Sequence, residues 1–428
     1  MILTKLRQFL YRNRRRLLIT TGISALLYLS YQYLISKFQE YQQRLTEERF
    51  SREQIKRRFE QTQKDSLYTV YSLVPVLNNG IFESLAVEKI TRDLQARRLE
   101  KGKSNVALNG SQVDDVSTTT ATNATNVTEA TGAGEVRKSK NELWNDLKIM
   151  SLTRLLTLIY AQSSLILLTR LQLNILARRE YLEDAIKLAS SKHGFVKKEF
   201  PGKDQRDEAS YVNEQAYLSL SWWLLNRGWV SIRQRVERAV RETFKDITPR
   251  AELTLDDFAL LLNKTQYLIE QSSDSEADQF TNLLLSTVLP PANLQNFVFQ
   301  QTLDYTSCSF IGKDSDSLQV LIEETQNYIN SPSVGIVMNS LATSGISTAL
   351  NTIAHYIHNK PLIQPTDQDT ETHRDISQRK LKLAVLLANV GKVANEFKTY
   401  PENSFINSMD SAEGLDELSA SVYSNFEV

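Results

Sequence analysis

At 428 residues, with Lys+Arg and Asp+Glu equal at 50 and a single cysteine, the chain can hold one large or two small domains. Those numbers exclude an internal disulfide framework and an overall basic nucleic-acid binder. Fourteen Gly and nine Pro are few for this length, which favours helices over a turn-rich β architecture.

The charge is unevenly placed. Lys5, Arg7, Arg12, Arg14, Arg15, Arg16 and Lys37 all precede the first acid, Glu40, so the remainder carries the compensating negative excess. Such a start points to membrane targeting, and the lone Cys308 is in keeping with a body in a reducing compartment. Residues 1–16 form a short basic tail. Leu17–Ile35 then runs nineteen residues without a charge; as a helix it spans about 28 Å, enough for one crossing. Tyr28, Tyr31 and Tyr33 would sit toward one interface. The run ends in bulky residues, unlike a cleaved signal, and is uniformly apolar, unlike a presequence, so it reads as an uncleaved anchor.

Residues 36–65 are polar and charged and read as a stalk. Within it Lys56, Arg57 and Arg58 either touch anionic head groups or form a solvated face, which is the simpler reading. Residues 66–428 form the body. Leu67–Leu99 resumes apolar spacing, with a break or kink expected at Pro75; Ile81, Leu85, Ile90 and Leu94 suit a second bundle helix. Residues 101–138 lack aromatics and are rich in Ser, Thr, Asn and Gly, the composition of a disordered loop. Its sequons begin at Asn109, Asn123 and Asn126, with a further one at Asn263; they matter only if the body faces a secretory lumen.

Ser139–Ala189 organises the rest. It has no Pro or Gly and opens with a capping box, Ser139-x-x-Glu142. From Leu147 its apolar residues cover almost every face, which implies burial. The fifteen uncharged residues between Arg154 and Arg170 span about 22 Å, short of a ~30 Å hydrocarbon core. The expectation is the central helix of a bundle, with both arginines finding partners or solvent. Trp144, among Lys140, Asn145, Asp146 and Lys148 in the polar first turns, is a candidate for contact with another molecule.

Ser190–Ser210 reads as a polar loop with Gly194, Pro201 and Gly202. Tyr211–Arg227 reads as an apolar helix with Gly228 as its C-terminal cap. Trp222, Trp223 and Trp229 could form a binding surface, but at this spacing they fit a core better. Thr254-x-x-Asp257 opens a helix through Gln271, Ser272–Asp278 is an acidic loop, and Pro290 and Pro291 make the next break. Helices follow around 315–330, 334–358 and 376–398, with Pro361 and Pro365 in a loop. The tail LDELSASVYSNFEV docks as a short helix. There is no sequence repeat and no run of alternating strands.

Chemistry is sparse. His355 and His358 are three apart, but no nearby cysteine or paired carboxylate completes a metal site. There is no nucleophile elbow, Walker loop or dinucleotide fingerprint. The residues imply no enzyme, no cofactor and no metal.

Four blocks carry a resemblance: REQIKRRFEQTQKDSLYTVYSLVP at 52–75, ELWNDLKIMSLTRLLTLIYAQSSLILLTRLQLNILARREYLEDAIKLA at 142–189, VNEQAYLSLSWWLLNRGW at 212–229 and LDELSASVYSNF at 415–426. Together they resemble the peroxin-3 family. The resemblance implies an all-α fold, an elongated helical bundle around one long helix with a single N-terminal transmembrane anchor. It also implies a non-enzymatic docking factor in the peroxisomal membrane, reached directly or through the endoplasmic reticulum. The implied partner is peroxin-19, the soluble receptor for peroxisomal membrane proteins, whose N-terminal amphipathic segment folds as a helix into an apolar groove. Membrane lipids and adaptors for organelle inheritance and pexophagy are further implied partners; nucleic acid is not. The groove residues map onto Trp144 as anchor, with Leu147, Lys148, Lys140 and Leu94 beside it. A Trp flanked by leucines is what helix-in-groove recognition uses, and rim lysines set orientation through a partner's carboxylates. The competing reading is a membrane-tethered lipid-handling or enzymatic bundle.

Topology divides two arguments. Six basic residues precede the apolar run and Lys37, Arg44 and Arg52 follow it, so the positive-inside rule leaves the body lumenal. The resemblance implies a cytosolic body, and that expectation is preferred.

Overall fold

The structure, a computed structural model, describes residues 14–108, 138–192, 203–271, 279–311, 315–358, 379–399 and 403–425. The basic tail to residue 13, the three sequons at Asn109, Asn123 and Asn126, and the loops expected at Gly194–Gly202, Ser272–Asp278 and Pro361–Pro365 lie outside the described residues. The chain divides into two compact units, Met1–Gln61 and Thr62–Val428.

A single helix, α1, runs Arg14–Ser84. Within the first unit it carries the apolar run Leu17–Ile35. Tyr28, Tyr31, Tyr33, Phe38, Tyr41 and Phe50 are exposed on it. Lys56, Arg57 and Arg58 are also exposed, with Lys56 3.8 Å from Glu60 one turn on.

In the second unit α1 continues through Pro75 without ending, so of the break or kink expected there the break does not occur. Pro75 faces solvent, while Val70, Val74, Leu77 and Ile81 are buried on the opposite stripe. Packing of that stripe holds the helix together where one backbone hydrogen bond is lost. Helix α2 runs Val87–Leu108, so helix replaces the first residues of the expected loop.

Helix α3, Lys140–Lys192, is the axis of the body. Ser139 and Glu142 form the expected capping box: the Glu142 amide donates to Ser139 Oγ at 3.2 Å, and the Ser139 amide donates to Glu142 Oε2 at 2.8 Å. Every residue from Ser151 to Gln172 is buried. By composition and length α3 could cross a membrane, yet its most apolar window is wholly enclosed by protein. Each polar group inside therefore needs a protein partner. Arg154 pairs with Glu88 at 2.7 Å, Gln162 donates to Asn78 Oδ1 at 3.0 Å, and Arg170 pairs with Asp410 at 2.6 Å and Asp416 at 3.2 Å.

The helices around this axis are α4 (Lys203–Ser219), α5 (Trp229–Thr243), α6 (Leu255–Glu270), α7 (Phe280–Val288), α8 (Ala292–Thr302), α9 (Tyr305–Ile311), α10 (Ser315–Ile329), α11 (Pro332–His358), α12 (Leu383–Glu396), α13 (Ser404–Asp410) and α14 (Leu415–Ser424). α2, α5, α11, α12 and α14 all pack on α3. α4 begins inside the expected 190–210 loop, and α14 is the expected docked tail. The Thr254–Asp257 capping box opens α6 as its sequence implies.

Two local features differ from expectation. Gly228 does not cap a helix: it sits in a π-helical turn, Leu224–Gly228, at φ −59°, inside continuing helix. Its reason is proximity, since a Cβ there would lie 1.9 Å from the Thr287 carbonyl oxygen of α7. A short antiparallel pair joins β1 (Glu252–Leu253) to β2 (Leu381–Lys382), too brief to leave an alternating pattern in sequence.

A candidate partner-binding surface at the start of the central helix

Burial of α3 is incomplete in its first turns, as it is again beyond Gln172. Leu143 is 5% exposed and turned into the body, while Trp144 and Leu147 are half-buried and Lys140 is exposed. Helix α2 runs antiparallel beside this end. Arg97 donates to the Lys138 carbonyl at 2.5 Å and Arg154 pairs with Glu88. Leu94, half-buried, lies between those two ties along α2, as Trp144 and Leu147 lie between them along α3. The two helices therefore hold Leu94, Trp144 and Leu147 at one level of the body. Lys138 also pairs with Asp146 at 2.7 Å, which raises its pKa and fixes the strand of chain entering α3.

Lys148 departs from its expected place on a rim. It is 2% exposed, and its ammonium donates to the carbonyls of Phe244 at 2.7 Å and Ile247 at 2.8 Å. Those carbonyls lie at and beyond the C-terminal end of α5, where a cation satisfies orphan acceptors and meets the negative end of the helix dipole. Burial pushes the Lys148 pKa down, partly offset by Asp246. Its role is to join α3 to the end of α5. The rim charges on this side come from residues the sequence reading did not single out. Asn145 and Lys148 border an open cleft of about 410 Å³ whose other wall includes Arg238, Arg241 and Lys245.

The tryptophan group also divides. Trp229 is 5% exposed and packed beneath Gly80, as expected of core. Trp222 and Trp223 are half-buried: Trp223 donates its Nε1–H to the Ser286 carbonyl at 3.0 Å, and Trp222 meets Phe297 edge-on at 6.0 Å. They hold the π-helical turn against α7 and α8 more than they fill the centre. Among the described residues no three His, Cys, Asp or Glu side chains come together as metal ligands would.

The family model for Peroxin-3 matches residues 8–425. The chain belongs to the peroxin-3 family. Peroxisomal membrane protein PEX3 of Komagataella phaffii is 40% identical over 97% of this chain and 98% of that protein. Peroxisomal biogenesis factor 3 of Saccharomyces cerevisiae is 34% identical over 99% of this chain and 97% of that protein. The factor of the same name from Bos taurus is 23% identical over 98% of this chain. The match extends through all four sequence blocks of the resemblance, and the all-α body around α3 accords with it. One residue read as a peroxin-19 contact, Lys148, is here committed to the interior.

The sequence reading missed one further feature. A cleft of about 920 Å³ opens between the second half of α3 and α10, some distance along α3 from Trp144. The only sequence signal was the apolar spacing Ile175, Leu182 and Ile186, continuing past the uniformly apolar stretch.

Proposed function

We propose that this chain is a peroxisomal membrane biogenesis factor that docks peroxin-19 at the membrane. On this reading the N-terminal amphipathic helix of peroxin-19 lies along α2 and the start of α3, with Trp144 as anchor, Leu147 and Leu94 as flanking apolar contacts and Lys140 as an exposed charge. The observation that carries it is the half-buried Trp144 in the first turns of α3, with the half-buried Leu147 and the exposed Lys140 on the same helix and the half-buried Leu94 on α2. Trp buries a large area with little rotamer entropy lost, which suits it to anchor a helix in a groove. The partner is the one that the resemblance to the family implies. Lys148 contributes indirectly, by setting the angle of α3 against α5.

Leu17–Ile35 serves as the anchor and the body faces the cytosol, where a soluble receptor can reach it. Lys56, Arg57 and Arg58 are exposed and on this reading lie toward anionic head groups. Adaptors for inheritance and pexophagy are further partners implied by the family. A lipid-handling reading is less favoured, because the interior along Ser151–Gln172 is filled by packed side chains.

The test is calorimetric titration of the full chain with the peroxin-19 N-terminal peptide, wild type against Trp144→Ala. Loss of binding in a folded variant supports the reading, and undiminished binding removes it. Topology is tested separately: an endoglycosidase-sensitive mass shift at Asn109, Asn123, Asn126 or Asn263 places the body in a secretory lumen and overturns a cytosolic one.

A further inference from the structure

We propose that the cleft between the second half of α3 and α10 is a second docking groove, for an amphipathic α-helix of a partner protein bearing an apolar stripe edged by two cations. Its walls are two helices, each presenting a repeat at i, i+4 and i+7. On α3 these are Ile175, Arg179 and Leu182; on α10 they are Asp316, Val320 and Glu323. Two such ridges side by side form the seat into which a third helix packs. Val320 is 58% exposed between its two acids.

The floor is closed by the protein itself. Arg178 crosses to Glu324 at 2.5 Å, and Arg179 Nη2 donates to Ser317 Oγ at 2.7 Å. Glu324 is thereby neutralised. Asp316 and Glu323 are exposed, and among the described residues no ion pair holds either of them; Glu323 only accepts from Gln319 at 3.3 Å. Arg179, on the opposite wall, meets a neutral hydroxyl. The outer α10 wall is thus anionic, and the α3 wall carries two arginines, Arg178 paired with Glu324 and Arg179 bonded to Ser317. The charge pattern selects the occupant: a helix with cations along the edge facing α10, about two turns apart to match the spacing of Asp316 and Glu323. The same acids repel an anionic lipid surface.

Trp144 and Leu182 are both on α3, about 57 Å apart along the helix at ~1.5 Å per residue. Both sites can therefore be filled at once, so that docking at one end of the body leaves the other free to tether. This inference stands apart from the peroxin-19 reading and does not use Trp144.

The test uses the full chain in amphipol and fluorescence anisotropy. The probe is a labelled helical peptide with leucines at i, i+4 and i+7 and lysines two turns apart beside them; its twin carries glutamates for the lysines. The wild-type chain is expected to bind the lysine peptide saturably and at least about tenfold more tightly than the twin. Asp316→Lys combined with Glu323→Lys changes only exposed side chains, so the fold is kept and the preference inverts, while binding of the peroxin-19 peptide stays at the wild-type level. Val320→Arg abolishes lysine-peptide binding. The groove is not a docking site of this kind if the lysine peptide fails to saturate, if the twin binds equally well, or if the charge-swapped variant keeps the original preference. Self-association of the wild-type chain that Val320→Arg relieves makes it an interface between copies and equally overturns the proposal.

Discussion

The guanidinium of Arg154, 1% exposed inside the central helix, reaches Glu88 at 2.7 Å and so ties α3 to α2 at the base of the surface that carries Trp144. The same group lies 4.9 Å from the Phe82 ring centre and donates to the Leu85 carbonyl at 3.5 Å. Burial tends to raise the Glu88 pKa, but the hydrogen bond and charge of Arg154 outweigh it and hold the carboxyl below its usual value.

Glu88→Gln is expected to destabilise the body by about 1–3 kcal/mol, because a buried cation loses its counter-charge to a partner that is itself half exposed. Since the folded pKa of Glu88 is depressed, its contribution is present above the usual glutamate range and is lost as pH falls through the folded value. Chemical denaturation at neutral and acid pH checks this. The gap between wild type and variant should close in acid, and a gap independent of pH contradicts the ion-pair account.

Trp144→Ala should weaken binding of the peroxin-19 peptide at least about thirtyfold, or ~2 kcal/mol, with little change in Tm. Trp229→Ala is the proper core comparator and should cost about 3–5 kcal/mol of stability. Trp223, half-buried, is not. Thermal denaturation and calorimetric titration on the same purified variants separate the two roles. A Trp144→Ala chain that unfolds shows a core residue instead.

The two lysines flanking Trp144 should behave differently. Lys140→Glu leaves stability unchanged and slows association with an acidic peptide, most visibly at low salt. Lys148→Met strands the Phe244 and Ile247 carbonyls and costs about 1.5–3 kcal/mol of stability. Stopped-flow association at two ionic strengths, set beside urea denaturation, reads both; equal stability losses in the two variants contradict the assignment.

Gly228→Ala should destabilise by at least about 1–3 kcal/mol. The obstacle is the Thr287 backbone carbonyl, which cannot rotate away as a side chain could. Because φ at Gly228 is −59°, a helix-favouring effect of alanine is the competing expectation, and an unchanged or raised midpoint means α7 can move aside.

Much of this architecture was legible in sequence because it depends on local order. Apolar residues on every face of Leu147–Leu173 imply enclosure whatever the neighbours are, and two capping boxes mark helix starts through contacts three residues apart. The family resemblance also grouped Lys148 with Trp144, four residues earlier on the same helix. What it could not say is which neighbour each side chain meets. Lys148 is buried only because the end of α5, nearly a hundred residues on, arrives with unsatisfied carbonyls, and Lys140, one turn before Trp144, meets no such end and stays in solvent. A break or kink was expected at Pro75 because the lost hydrogen bond is local, whereas the burial of Val74 and Leu77 that keeps the helix unbroken is tertiary. Gly228 looked like a cap because only the approach of Thr287 explains it. The groove between α3 and α10 likewise exists only once segments some 140 residues apart are placed side by side. Helical spacing fixes where a side chain points on its own helix; long-range packing alone decides whether it points into protein, into solvent or into a site.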